Sequence, residues 1–204
     1  MGRHSDAKQR ILDSARVLFH ARSYSAVGIQ EICDHAAVKK GSFYHFFPSK
    51  QALTLELLDQ SWLGFEQAFI SSLLNPERPA LQRIVQFFKL GCEMQQRLLD
   101  KTGCVLGCPF GNLAMELSTQ DDVLRAKLQV FFQRMETVLE KTLLEAIRAG
   151  ELAENTDTQV SAKAMLAYLE GLLLMAKTGN NLQDFTVLSE MALKLIVSRT
   201  RLPL

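Results

Sequence analysis

The chain has 204 residues, 48% hydrophobic and 22% charged, enough to build a sizeable core in one large domain or in a small module joined to a larger one. Its net charge of +1 is unevenly spread: the first 50 residues hold eight Lys/Arg against four Asp/Glu, and the rest hold 15 against 18. No apolar run reaches the roughly 18 residues of a membrane-spanning helix, and the opening MGRHSDAKQR lacks the apolar stretch of a secretory signal. A cytoplasmic protein with no membrane partner is expected, its four cysteines (Cys33, Cys92, Cys104, Cys108) present as thiols. A basic segment carrying all four histidines, followed by an acidic remainder, suggests a nucleic-acid-binding end and a separate partner-binding body.

In chain order, the apolar spacing Ile11, Ala15, Leu18, Phe19 predicts a helix from Ala7 to Ala21. RSYS breaks it, and a short helix follows near Ile29–Ala36. AVK reads as a tight turn, and a second short helix runs from Lys40 to Phe47, ended by Pro48. Ser49 is placed to cap a long helix from Lys50 to Leu74. NPERP interrupts, and helical patterns then cover about 80–99, 109–118, 121–149, 157–178 and 184–199. No strand-like alternation persists. The expected fold class is all-α, about nine helices, with a three-helix helix–turn–helix head (1–50) and a larger C-terminal helical bundle (51–204).

KKGSFYHFFPSK (39–50) mixes lysines with aromatics in a way that suits neither a buried nor a solvated helix. A helix–turn–helix resolves the mixture, because its second helix packs on one side and presents the other to a DNA groove. Phe43 and Phe47 then face inward, while Lys39, Lys40, Ser42, Tyr44 and His45 face outward. Lysines neutralise phosphates; Tyr and His donate to phosphates or base edges. Gly41 permits close approach.

The stretch ILDSARVLF…YSAVGIQEICDHAAVKKGSFYHFFPSKQALTLELL resembles the DNA-binding head of the TetR/AcrR family of repressors over about 50 residues. That resemblance implies DNA contacts by Tyr44 and His45 and a phosphate held by Lys50. The sequence departs from the family pattern at Val27 and Gly28, where threonines are common, at Ala37 in place of a turn glycine, and at Lys39 in place of a serine. Gly28 leaves a backbone N–H open to phosphate.

The family resemblance also implies a helical body that binds a small molecule and dimerises. Trp62, Phe65, Phe88, Cys92, Cys104, Cys108, Phe110, Asn112, Met115, Phe132 and Met135 are the candidate effector-pocket or sensor residues, though side chains of these kinds also build ordinary cores. In GCPFGNLAMELS, Cys108 precedes a proline suited to a first helical turn, where the helix end favours a thiolate. Cys104 is placed as a resolving thiol. Both cysteines read more readily as small buried hydrophobes. The segment is similar to a GCxxGNL stretch in a TetR branch that includes electrophile- and unsaturated-acid-responsive repressors.

Broad apolar faces on 157–178 and 184–199 suggest a homodimer, with Gly171 allowing close helix approach. Every histidine lies in the head, so no metal ion and no cofactor is expected, and a cysteine-dependent enzyme lacks a nearby histidine. The expected partners are a palindromic double-stranded DNA operator, a small hydrophobic or electrophilic effector and a second copy of the chain. The expected activity is repression, with activation as the alternative sign.

Overall fold

In a computed structural model, which describes residues 2–196, the elements follow the apolar spacing closely. Helix α1 (Gly2–Ala21) buries Ile11, Leu12, Ala15 and Phe19. Helices α2 (Ile29–His35) and α3 (Lys40–Phe46) are seven residues each, too short to be stable without packing. They close over α1 through Ile32, Cys33, Ala36, Phe43 and Phe47, which form one cluster with Val27, Leu53 and Leu57. Among the described residues no strand forms.

Helix α4 (Lys50–Phe65) opens on the expected cap, with Ser49 Oγ accepting the Ala52 N–H at 3.0 Å. The continuous helix expected to Leu74 is instead interrupted by a wider π-type turn at Glu66–Ile70 before α5 (Ser71–Leu74). Next come α6 (Ala80–Thr102), α7 (Pro109–Leu117), α8 (Asp122–Arg148), α9 (Thr158–Gly179) and α10 (Phe185–Glu190). Asp121 caps α8 by accepting the Val123 and Leu124 N–H groups, both at 3.0 Å. Asp157 caps α9 through the Val160 N–H at 3.0 Å. The helix expected over 184–199 holds α geometry only through Glu190 and tightens to 3₁₀ over Met191–Leu195; its last three positions lie outside the described residues.

The chain divides into two compact units. The first joins Met1–Leu63 to Pro109–Val130, so α7 packs with the head and touches α1. The second comprises Gly64–Cys108 and Phe131–Leu204. In the second unit Gly91 of α6 lies close to α9 and α10: a Cβ there would stand 3.7 Å from Leu169 Cδ1 and 3.9 Å from Phe185 Cζ.

Candidate nucleic-acid interface and sensor segment

The turn between α2 and α3 is set by Ala37, which takes the left-handed conformation at φ 51°. The Ala37 N–H donates to the Asp34 carbonyl (3.1 Å) and the Val38 N–H to the Cys33 carbonyl (3.0 Å), closing α2. This geometry suits glycine, and alanine holds it at a steric cost. It carries the chain directly into α3, whose faces then separate. Phe43 is fully buried and Phe47 nearly so, while Lys39, Lys40, Gly41, Tyr44 and His45 are exposed and Ser42 is half-exposed. Phe46 is half-buried against the core. Tyr44 is braced edge-on by Phe43, centroids 5.4 Å apart, and keeps half its surface free. Gly28 is exposed at the N-cap of α2, and a Cβ there would meet nothing within 4 Å.

Lys50 is placed differently from the expectation. Its Nζ donates to the Val27 carbonyl at 2.5 Å and to the Tyr24 carbonyl, and it stands 4.1 Å from the centroid of the Tyr24 ring. Burial pulls its pKa below the ordinary lysine value, and the nearby Glu116 carboxylate partly restores it. The ammonium is spent on the loop before α2 rather than held out for a phosphate.

On the other side of that loop is a residue the sequence reading passed over. Glu116 of α7 accepts the Ser25 N–H at 2.7 Å and the Tyr24 N–H at 2.9 Å. Burial raises its pKa, but the Ser25 hydroxyl, these two amides and Lys50 outweigh that and hold the carboxylate below its usual range. No local signal in the sequence marks a partner more than ninety residues away.

The expected effector residues fall in both units. In the first, Phe110 is buried, Trp62 and Asn112 are half-buried, and Met115 is 65% exposed, facing out rather than lining an enclosed pocket. Phe110 lines a small cavity of about 30 Å³ with Arg16, Phe19, His20, Leu57 and Leu113, room for about one water. In the second unit Phe88 and Met135 are buried, and Phe65, Cys92, Cys108 and Phe132 are half-buried. Phe65 stacks on Phe69, centroids 4.7 Å apart. The Cys92 sulfur lies 3.8 Å from Thr186 Oγ1. Cys104 is exposed.

Cys108 immediately precedes Pro109, the first residue of α7, as the sequence suggested. The segment leading to it is fixed by two carboxamides. Fully buried Gln95 accepts the Gly107 N–H (2.9 Å) and donates to the Gly107 carbonyl (3.0 Å). Asn180 accepts the Val105 N–H (2.8 Å) and donates to the Gly103 carbonyl (3.1 Å). The Cys108 thiol hydrogen-bonds Glu170 of α9. Burial pushes that carboxyl above its ordinary value, and the thiol contact draws it partly back. Gln95, Asn180 and Glu170 had no local pattern to reveal them.

The broad apolar faces of the last helices turn out to serve two purposes. Met165, Leu166, Leu169, Leu172 and Leu173 are buried within the chain, as is Ala192. What remains outside is narrower: Leu174, Met175, Val187, Leu188 and Met191, with Gly171 also open and no atom within 4 Å of a Cβ placed there. Among the described residues no helix is long and apolar enough to cross a membrane, and no group of three His, Cys, Asp or Glu is arranged to hold a metal ion.

Comparison with known proteins agrees with this geometry. Residues 11–57 match the model for bacterial regulatory proteins of the tetR family, and residues 80–188 match the tetracyclin repressor-like C-terminal domain. The HTH-type transcriptional repressor DhaR of Mycobacterium sp. (strain GP1) is 28% identical over 174 residues, 85% of this chain and 84% of that protein. The transcriptional regulator AcuR of Cereibacter sphaeroides is 32% identical over 160 residues, 76% of this chain and 69% of that protein. The crystal structure of the regulatory protein TetR from Rhodobacter sphaeroides superposes with a TM-score of 0.83 at 27% identity, covering 94% of this chain and 99% of that one.

Proposed function

This chain belongs to the TetR family of bacterial regulatory proteins, and from that premise we propose that it is a homodimeric transcriptional repressor, released from a palindromic operator by a small-molecule effector or by modification of Cys108. The observation that carries the reading is the division of α3, with Phe43 and Phe47 in the core and Lys39, Lys40, Tyr44 and His45 outside. The lysines would neutralise phosphates. Ser42, Tyr44 and His45 would donate to phosphate or base edges, and Gly28 and Gly41 would let backbone come close. The outward-facing Gly171, Leu174, Met175, Val187, Leu188 and Met191 supply an apolar surface for a second copy. Pairing two chains would set two recognition helices about one DNA turn apart.

Release needs only that the effector favour one arrangement of the dimer; a hundredfold preference is about 2.7 kcal/mol. Cys108 is the favoured point of covalent control because it sits at the start of α7, half-exposed, on a segment pinned by Gln95 and Asn180. A cysteine-dependent enzyme is disfavoured by the same geometry, since the thiol's partner here is a carboxyl and not an imidazole.

The test is selection of bound duplexes from a random-sequence pool by the full-length protein. A palindrome with half-sites about one helical turn apart is expected, and failure to enrich any sequence would contradict the reading. N-ethylmaleimide should then release the duplex from wild type and leave Cys108→Ser bound; equal release would remove Cys108 from the mechanism.

A further inference from the structure

The loop between α1 and α2 is held from two sides. Its carbonyls at Tyr24 and Val27 accept from Lys50 of α4. Its amides at Tyr24 and Ser25 donate to the two oxygens of Glu116 on α7, at 2.9 and 2.7 Å, with the Ser25 hydroxyl as a third donor. Between this clamp and α4 lie only α2 and α3, seven residues each, and the N-cap of α2 is Gly28, with no side-chain cap. Helices that short keep their pose through what they are attached to. α1 meets α2 through a hydrogen bond between His35 and Ser14 at 2.9 Å, and Arg22 just beyond α1 pairs with Glu31. The cluster that joins α1 and α4 to both short helices is otherwise apolar, and apolar contacts slide at low cost. The Glu116 clamp is directional and charge-assisted, so it specifies position more narrowly.

We propose that Glu116 is a positioning residue for the recognition helix: it fastens the loop ahead of α2 to α7, so that the pose in which α3 meets DNA depends on where α7 sits. This rests on the reading of the chain as a DNA-binding regulator and names a contact through which that binding is regulated. Helix α7 is nine residues long and starts one residue after Cys108. A group attached at Cys108 or a ligand pressing on Pro109 acts on the same rigid element whose other end carries Glu116. Displacing α7 withdraws the carboxylate from Tyr24 and Ser25, and the loop, α2 and α3 loosen together.

The experiment compares full-length wild type with Glu116→Gln, which keeps the side-chain volume, and Glu116→Ala. Affinity for a duplex selected by the wild type is measured across salt concentrations, and hydrogen exchange is followed in peptides spanning 22–46 and 80–102. Expected are about tenfold weaker binding with an unchanged salt slope, since no phosphate contact is lost, and faster exchange confined to 22–46. Alkylation by N-ethylmaleimide should add little further loss in either variant. A merely structural role would lower the melting temperature and leave affinity and head exchange at wild-type values, and that result overturns the proposal. If the wild type binds no duplex, the functional reading fails, and the exchange measurement still decides whether Glu116 holds the head. If N-ethylmaleimide fails to release the wild type, Cys108 control fails, and affinity together with exchange still decides Glu116.

Discussion

Lys50 stands over the ring of Tyr24, its Nζ 4.1 Å from the centroid, while donating to that residue's own carbonyl. A lysine at the start of α4 therefore stitches the head together from within. Replacing it should remove hydrogen bonds and a cation–π contact worth about 1–3 kcal/mol together. Lys50→Met is expected to lower the melting temperature by several degrees and to leave the slope of log affinity against log salt unchanged. A slope reduced by about one unit would return Lys50 to the phosphate-binding set.

Ala37 holds φ 51° at an exposed turn. The left-handed conformation costs a non-glycine residue about 1–2 kcal/mol. Introducing glycine gives back about 0.4–1 kcal/mol through the freer unfolded chain. The first effect is larger, so Ala37→Gly should stabilise the protein by roughly 0.5–1 kcal/mol with operator affinity unchanged. Thermal unfolding checks this, and a lower melting temperature would contradict the turn geometry.

The Glu116 carboxylate is held below its usual pKa range by Ser25, Tyr24 and Lys50 acting against burial. A depressed carboxylate stabilises the fold fully above the ordinary glutamate value of 4.5 and loses that contribution as pH falls through its folded value. The melting temperature of wild type should therefore exceed that of Glu116→Gln by a constant margin at neutral pH, and the margin should close on acidification below about 4.5. Asp121, also held low, chiefly by the Leu124 amide and Gln51, is unchanged in the variant and so cancels from the comparison. Parallel curves down to pH 3 would show that the Glu116 contacts are not ionic.

Met175 is 69% exposed on α9, beside Leu174 and one turn from Gly171. A glutamate there would place a charge where the proposed partner must pack. Met175→Glu should convert a two-chain particle to one chain by light scattering and weaken operator binding in parallel. An unchanged mass would move the interface elsewhere.

The sequence revealed the architecture because much of its pattern is local. The 11, 15, 18, 19 spacing defined the inner face of α1, and Pro48–Ser49 marked the restart at α4. The alternation of Lys, Tyr and His with Phe43 and Phe47 defined the two faces of α3. Long-range polar contacts left no such trace: Glu116 reaches back to Tyr24 and Ser25, Gln95 to Gly107, and Glu170 to Cys108. A hydrophobic stripe also does not say what it packs against: within the apolar segment 157–178, Met165, Leu166 and Leu169 are buried within the chain while Met175 is exposed. The π-type turn at Glu66–Ile70 was equally silent, since its apolar residues fit an uninterrupted helix.

The central claim, that α3 reads DNA through its outer face, is tested most directly by the affinity of Tyr44→Ala for a duplex selected by the wild type. Tyr44 is half-exposed, its ring edge-on to Phe43, so its removal should leave the melting temperature nearly unchanged. Binding should weaken by about 10- to 100-fold, the range for losing one specific contact. Wild-type affinity in this variant would contradict the assignment of α3 as the recognition helix.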